Sequence, residues 1–209
     1  MITVDDLRRL PSIEDFKRLA QALATLDAIL SPDWDDRYYS FNSRWSDGEM
    51  MASMRNGSGD HWFALISHAG VALHGLAHEA PSFRPGEPRP GVFGALPRAF
   101  LDNFLHEPAF DTANSTFCIW RLRTDDQWQR GPVSEADGDD GSSELLSLLF
   151  GDPADYVAFA NEYYERDVDA GAVAAVYRHC ALTENLVHRL NPDVALASIR
   201  EDLDEIGYP

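Results

Sequence analysis

The spacing of apolar residues changes near residue 37, and no other feature of the chain constrains its fold as strongly. Before this point, apolar side chains recur every three or four residues, which is typical of an amphipathic helix. They are Phe16, Leu19, Leu23, Leu26 and Leu30. After it, the period falls to two over several short runs, which is typical of strands. The chain therefore begins with a helix and continues directly into consecutive strands.

The predicted helix has signals at both of its ends. Ser12 is followed three residues later by Asp15, the pattern of a capping box. Pro32 follows Ser31, and a proline at this position disfavours continuation of the helix. We therefore predict one helix between these two points.

Runs of period two predict strands at 37–45, 49–56, 61–67, 71–78, 115–123 and 127–130. The first four are joined by tight connections, so we expect an antiparallel meander. Within the first run, Tyr39, Phe41 and Trp45 are expected to share one face. A proline-rich connector at 81–90 and a short helix at 96–106 precede the fifth run.

Helical patterns dominate the C-terminal third of the chain. Asp152 and Pro153 are typical of a helix start, and we expect this helix to reach residue 167. Because strands and helices occupy separate parts of the chain, we predict an α+β fold: an antiparallel sheet flanked by an N-terminal helix and a helical C-terminal third. We expect a single domain over residues 1–209. Its helix and sheet lie in 1–133, and an acidic loop and the C-terminal helical subregion lie in 134–209.

The charge of the chain is strongly and unevenly negative. The chain contains 35 Asp and Glu but only 17 Lys and Arg. The acidic segment, residues 134–169, holds eleven acidic side chains and one basic one, and therefore ten of the 18 excess negative charges. Such a field repels phosphate backbones and anionic lipid, and it attracts cationic surfaces. It argues against nucleic-acid and membrane-surface binding, and it predicts a basic protein as partner.

The predicted binding residues are the carboxylates Glu135, Asp137, Asp139, Asp140, Glu144, Glu162 and Glu165. Their spacing does not match a calcium loop of the EF-hand type, which needs glycine at its sixth and glutamate at its twelfth position. Counting from Asp137, these positions hold Ser142 and Leu148, and counting from Glu135 fails as well. A weak adventitious cation site stays open.

His74, His78 and Glu79 offer metal-binding atoms, but their spacing argues against a shared ion. Gly75 disfavours a helix, and on a strand the two imidazoles lie about 13 Å apart, at ~3.3 Å per residue. We therefore expect neither a metal site nor a cofactor.

Several features favour the cytoplasm. Cys118 and Cys180 are the only cysteines, which favours two reduced thiols. The N-terminal residues lack the pattern of a signal peptide, and no apolar run approaches the ~18 residues of a membrane span. We expect a cytoplasmic protein without a membrane segment.

Four residues near the predicted strand ends form the candidate catalytic set: Arg55, Asp60, His78 and Glu79. The run 55–60 is rich in glycine, but it lacks the ending of a phosphate loop and no helix follows it, so it predicts a hairpin turn. If the strand ends meet at one edge, an acid, a base and an arginine share a cleft. Such a set suffices for general acid/base catalysis.

Aromatic residues are dense between residues 38 and 63 of the predicted sheet. Rings on strands are typical of RNA-stacking surfaces, but those surfaces carry basic grooves, and the charge here has the opposite sign. Packing on the sheet faces is the better interpretation. A homo-oligomer formed through this aromatic sheet face is left open.

Several runs resemble a group of uncharacterised bacterial proteins. They are RYYSFNSRW at 37–45, MASMRNGSGD at 51–60, LAHE at 76–79, TFCIWRL at 116–122 and EIGYP at 205–209. The resemblance covers most of the chain and implies a small cytosolic bacterial protein, with no activity or catalytic residues attached. Immunity proteins of bacterial toxin systems offer an analogy in size, acidity and mixed architecture.

Two functional hypotheses follow. The first is a protein-binding module whose acidic segment binds a basic partner, such as an immunity-type inhibitor of a cationic toxin. The second is a small hydrolase-like enzyme that uses the candidate catalytic set. The first is favoured, because no motif in the chain specifies a reaction.

Overall fold

A six-stranded antiparallel sheet forms the centre of the molecule, in a computed structural model that describes residues 7–150 and 152–209. Its strands are β1 Tyr39–Ser46, β2 Glu49–Arg55, β3 His61–Ile66, β4 Gly70–Leu76, β5 Phe117–Leu122 and β6 Gln129–Arg130. They pair in the order β1-β2-β3-β4-β5-β6, and every neighbouring pair is antiparallel. The predicted α+β fold is confirmed.

The helices lie before and after the sheet in the chain, as predicted. They are α1 Ile13–Leu30, α2 Ser142–Leu145, α3 Pro153–Tyr163, α4 Ala170–Tyr177, α5 Glu184–Leu190 and α6 Arg200–Ile206. The Ser12 hydroxyl caps α1 by accepting a hydrogen bond from the Asp15 backbone N–H at 3.2 Å. Asp152 caps α3 in the same way, with Pro153 at the first helical position. The cap signals read from the sequence are confirmed.

Alternate residues of strands β2 to β5 enter two separate cores. On one face, residues such as Trp62 and Ala64 pack with α1 and the C-terminal helices. On the other, residues such as Leu65 pack with Phe100 and Phe104 of the long connection between β4 and β5. The sheet is therefore covered on both faces.

Helix α1 is more deeply buried than its single apolar stripe predicts. Every residue of the helix from 19 to 30 is buried, because the sheet covers one side of the helix and the C-terminal helices cover the other. Its polar residues Gln21, Thr25 and Asp27 are consequently buried as well, and each of them needs a hydrogen-bond partner within the protein.

Trp45 does not share a face with Tyr39 and Phe41, as the alternation predicted. The register of β1 against β2 shifts between Asn42 and Ser46, and an irregularity of this kind turns the residues beyond it toward the other face. Trp45 therefore packs against the second core, with its ring 6.0 Å from that of Phe110.

Strand β4 ends two residues before the predicted limit. The Thr116 hydroxyl accepts a hydrogen bond from the Ala77 backbone N–H at 3.2 Å and so replaces the next bond of the ladder. His78 and Glu79 consequently lie in a turn.

Two predicted helices are shorter or less regular than expected. The predicted helix at 96–106 is a 3₁₀ turn, Arg98–Phe100, followed by one π-helical turn, Leu101–Leu105. The tight 3₁₀ turn and the wide π-helical turn together place both Phe100 and Phe104 in the second core. Helix α3 ends at Tyr163 rather than at residue 167, because Glu165 adopts a left-handed backbone conformation with φ 51°.

The aromatic residues of the sheet lie mostly inside the molecule. Tyr39, Phe41 and Trp62 are buried in the first core, where they cannot take part in self-association through the sheet face. In the described ranges, none of the helices has the length and hydropathy that a bilayer crossing requires.

Gly70 is the position at which a side chain would disturb the sheet most directly. Its φ is +148°, and a Cβ atom there would lie 2.1 Å from the backbone oxygen of Arg121 on β5. We expect Gly70→Ala to lower the free energy of unfolding in urea by about 3 kcal/mol.

Gly57 provides the matched control, because its φ is also positive (+73°) but a Cβ atom would meet nothing within 4 Å. Gly57→Ala should cost about 1 kcal/mol. Equal losses for the two variants would contradict the close approach of β4 and β5 at Gly70.

Candidate functional site

Three of the four residues in the candidate catalytic set come together at one end of the sheet. The Asp60 carboxylate accepts hydrogen bonds from the His78 backbone N–H and from the His78 ring Nδ1, both at 2.7 Å. The Asn56 side-chain amide donates to the other oxygen of Asp60 at 3.0 Å. The Glu79 carboxylate lies 4.0 Å from the His78 ring Nε2.

Arg55 does not join this cluster. Its guanidinium lies over the Trp34 ring, 4.2 Å from the ring centroid, and donates a hydrogen bond to the Ser40 hydroxyl at 3.3 Å. Arg55 therefore does not supply a cationic group beside the His78–Asp60 pair.

The His78–Asp60 pair is hydrogen-bonded and open to solvent. The hydrogen bond to Asp60 raises the pKa of His78. Burial alone would raise the pKa of Asp60, but the hydrogen bonds from His78 and Asn56 outweigh it and lower the pKa. The side chains of His78 and Glu79 are 40% and 89% exposed, so nothing on these two residues shields a bound substrate from water.

His74, the other histidine considered for a metal site, lies inside the second core. Its ring contacts the Phe110 backbone oxygen and, at 2.8 Å, the Ser115 hydroxyl. Burial lowers the pKa of His74 to about 3, so the ring is neutral. A Ser–His pair is the arrangement of nucleophilic catalysis, but both residues are fully buried here and instead hold the long connection against the sheet.

Metal-binding side chains do not assemble in the part of the chain that the structure describes. No group of three or more His, Cys, Asp or Glu is placed there to hold an ion. Cys118 and Cys180 are both free thiols, the first buried and the second exposed.

The predicted binding carboxylates fall into two groups. Asp137 and Asp140 pair with arginines: Asp137 lies 3.1 Å from Arg84, and Asp140 lies 3.3 Å from the buried Arg89. The remaining five are exposed: Glu135, Asp139, Glu144, Glu162 and Glu165.

A cleft of about 390 Å³ is lined by the second of these ion pairs, Asp140 and Arg89. Its lining includes two arginines and three acids: Arg89, Arg130, Glu135, Asp139 and Asp140. The charges of both signs largely balance, so this cleft selects no ion of one sign.

Asp27 is a buried carboxylate that joins three elements. One oxygen accepts a hydrogen bond from the Tyr39 backbone N–H on β1, and the other accepts one from the Tyr156 hydroxyl on α3, both at 2.6 Å. Asp27 itself lies on α1. Burial raises its pKa to about 6, although the two hydrogen bonds act in the opposite direction.

An aromatic surface lies next to the hydrogen bonds that Asp27 forms with β1 and α3. It consists of Trp34, Tyr38, Phe159 and Tyr163. Trp34 and Tyr163 are exposed large hydrophobic side chains, at 48% and 42%. The Tyr38 ring lies 4.8 Å from Phe159 and 5.1 Å from Tyr163, and the Phe159 and Tyr163 rings stack at 5.3 Å.

Arg55 connects Trp34 to the other three rings. Its guanidinium lies on Trp34, and its backbone N–H donates to the Tyr38 backbone oxygen at 2.8 Å. Arg55 is therefore the residue that links Trp34 to the ring cluster of Tyr38, Phe159 and Tyr163.

Four carboxylates act electrostatically on residues of the aromatic surface and on Arg55. These carboxylates, the acidic rim, are Asp35, Asp36, Asp60 and Glu144. Burial and then the charge of Glu144 raise the pKa of Tyr38 to about 12, with a further contribution from Asp60. The pKa of Tyr163 is raised by burial, then by the charge of Asp27, and then by that of Asp36. Burial lowers the pKa of Arg55, and the charge of Asp35 partly offsets this fall.

The sequence reasoning missed both Asp27 and Trp34. Asp27 looks like an ordinary polar residue of an amphipathic helix, and only the packing of α1 between two layers buries it. Trp34 had a local signal, because it follows Pro32 and stands among Asp33, Asp35 and Asp36. A large apolar ring among consecutive acids predicts exposure rather than a place in the core.

Comparison with protein-family models, with curated proteins and with solved structures finds no match to this chain. The likeness of its sequence runs to bacterial proteins therefore stays a resemblance and assigns no family.

Asp27 predicts a specific dependence of stability on pH. Because its pKa in the folded protein is about 6, above the ordinary 3.8, the folded state binds this proton more tightly than the unfolded chain. The stability that Asp27 contributes is present below about pH 4 and is lost as the pH rises to about 6.

Asp27→Asn isolates this effect from the other carboxylates, because its amide does not ionise. Between about pH 4.5 and about pH 7.5, the free energy of unfolding of the wild type should fall by about 2 kcal/mol relative to the variant. Urea unfolding followed by circular dichroism measures both. If the difference in the free energy of unfolding between the two proteins does not change with pH, Asp27 does not titrate as a buried carboxylate and this prediction is wrong.

The His78–Asp60 pair gives a second titration that can be measured. Replacing the carboxylate by an amide, Asp60→Asn, should lower the pKa of His78, because the hydrogen bond and charge of Asp60 raise it in the wild type. Histidine ring resonances followed by NMR against pH report this pKa. Glu79→Gln is the control and should shift it less; a larger shift from Glu79→Gln would show that the pair is wrongly assigned.

Proposed function

We propose that the protein is an acidic binding module that captures a basic protein partner. An immunity-type inhibitor that neutralises a cationic toxin is the concrete form of this proposal. We infer a cytoplasmic location, which the two free thiols support.

Uncompensated exposed charge is the observation that carries the proposal. The chain has a net charge of −18. Within residues 7–150 and 152–209, no ion pair involves Glu135, Glu144, Glu162 or Glu165. Carboxylates that have no cation of their own attract the cations of a partner and accelerate its association.

The same charge argues against other macromolecular partners. Phosphate groups of nucleic acids and anionic lipid surfaces would be repelled by the exposed carboxylates. A second copy of the chain would bring the same charges into contact, so a basic partner is favoured over self-association at this surface.

The hydrolase-like enzyme is the alternative proposal, and the His78–Asp60 pair is the observation that favours it. A hydrogen-bonded imidazole and carboxylate can exchange protons with a substrate. The pair is open to solvent and Arg55 stands apart from it, so we rank this function second.

Charge removal at two positions tests the binding module. Glu144→Gln/Glu162→Gln removes two exposed acids of the acidic segment. Asp47→Asn/Asp126→Asn removes two exposed acids in turns at the end of the sheet opposite to Asp60 and His78. With an oligolysine of about nine residues as the basic probe at about 20 mM NaCl, we expect the first variant to reduce the association rate about 3- to 10-fold.

The control variant should change this rate less than about twofold, and about 500 mM NaCl should suppress the rate for every variant. Stopped-flow fluorescence measures it. A rate that is equal at low and high salt would refute electrostatic steering. An equal loss in both variants would show that overall charge acts without a preferred surface.

A further inference from the structure

We propose that the aromatic surface binds arginine side chains of the basic partner, with the acidic rim holding their guanidinium groups. This inference rests on the proposed function and assigns a place and a chemical class of ligand to it. Its parts are the rings Trp34, Tyr38, Phe159 and Tyr163 and the carboxylates Asp35, Asp36, Asp60 and Glu144.

The first argument is that this surface already binds a guanidinium. The Arg55 guanidinium of the chain itself lies 4.2 Å from the centre of the Trp34 ring. A planar cation over an aromatic face is attracted by the electron density of the ring, and tryptophan attracts it best. With 48% of its surface exposed, Trp34 has room for a further contact.

The second argument is the geometry of the other rings. Phe159 and Tyr163 are nearly parallel, with an interplanar angle of 18°, and Tyr38 meets both of them edge-on. This packing holds Tyr163 in place while 42% of it stays exposed. Rigid, exposed Trp and Tyr side chains lose little entropy on binding and are the residues that most often dominate interfaces, together with Arg on the opposite side.

The third argument is the set of carboxylates that act on this surface: Asp35 and Asp36 directly follow Trp34 in the chain, and Glu144 and Asp60 act electrostatically on Tyr38. In the described part of the chain, Asp35, Asp36 and Glu144 form no ion pair, whereas Asp60 is already bound to His78. A carboxylate accepts two parallel hydrogen bonds from the planar fork of a guanidinium. Rings flanked by such acceptors bind the plane and the edge of an arginine at the same time.

These features distinguish arginine from the other candidate ligands. A lysine side chain is also attracted by the carboxylates of the acidic rim. Its ammonium group, however, has no planar face that stacks on a ring and no pair of parallel N–H donors for a carboxylate. A second copy of this chain would place its own acidic rim against the first. Phosphate-bearing ligands are repelled for the same reason. Charge complementarity and ring stacking together therefore favour an arginine-bearing segment of the partner as the ligand of this surface.

A pair of peptides with equal charge tests the inference. One carries about four arginines spaced by Gly-Ser, and the other carries lysines at the same positions. By isothermal titration calorimetry at about 150 mM NaCl, we expect the arginine peptide to bind at least about fivefold more tightly than the lysine peptide.

Trp34→Ala/Tyr163→Ala should reduce this preference to less than about twofold, because it removes the two exposed rings. Trp34→Phe/Tyr163→Phe is the matched control, since it keeps a ring at each position, and it should retain most of the preference. Both residues are partly exposed, so the variants are expected to fold, and circular dichroism verifies this.

The outcomes separate this inference from the proposed function. Equal binding of both peptides, with strong salt dependence and no effect of the alanine variant, would overturn the arginine surface and leave the acidic module in place. Failure of both peptides to bind even at about 20 mM NaCl would overturn both. A wild-type dimer in light scattering that Trp34→Ala/Tyr163→Ala dissociates would overturn the arginine surface in favour of a second copy.

Discussion

The hydrogen bonds of the Asp27 carboxylate hold three parts of the molecule together, and the position of the candidate surface depends on them. Asp27 lies on α1, binds the edge of β1 through the Tyr39 N–H and binds α3 through the Tyr156 hydroxyl. Phe159 and Tyr163 follow Tyr156 on the same helix, at three and seven residues. The contact that anchors α3 therefore also places two of the four aromatic rings beside Tyr38.

Burying a carboxylate is unfavourable, and the surrounding structure compensates it only in part. A charged group in a protein interior loses its hydration, and hydrogen bonds from neutral donors replace only some of it. The raised pKa of Asp27 expresses this cost. What the contact provides is orientation, because a carboxylate with two directed hydrogen bonds fixes β1 and α3 relative to α1 more narrowly than apolar packing does.

Similar polar contacts join the rest of the C-terminal region to α1. The Gln21 side-chain amide donates to the backbone oxygens of Ile206 and Gly207 at 3.0 Å, and the Asn191 amide donates to that of Ile29 at 2.8 Å. Each of these pairs joins residues that lie far apart in the sequence. The part of α1 from residue 19 onward is buried on all sides and needs such contacts, because its polar groups have no access to water.

The sequence predicted the elements of the fold better than their arrangement. Local signals such as the Ser12 and Asp152 caps and the period of two in β2 to β4 were sufficient, because they act over a few residues. Trp45 was misplaced because a shift in strand register depends on pairing with a distant strand. Asp27 was missed because its burial depends on three layers that meet only in the folded chain. In the candidate site, the contact of Asp60 with His78 followed from the strand ends, but the stacking of Arg55 on Trp34 did not.

Native-state amide hydrogen exchange in Tyr156→Phe tests most directly whether the Asp27 contact anchors α3 and so builds the aromatic surface. This variant removes one hydroxyl, and with it the hydrogen bond to Asp27, while keeping the ring. We predict that exchange protection falls selectively in residues 153–163, whereas strands β2 to β4 keep their protection. Unchanged protection in α3, or an equal loss throughout the sheet, would contradict the role of this carboxylate.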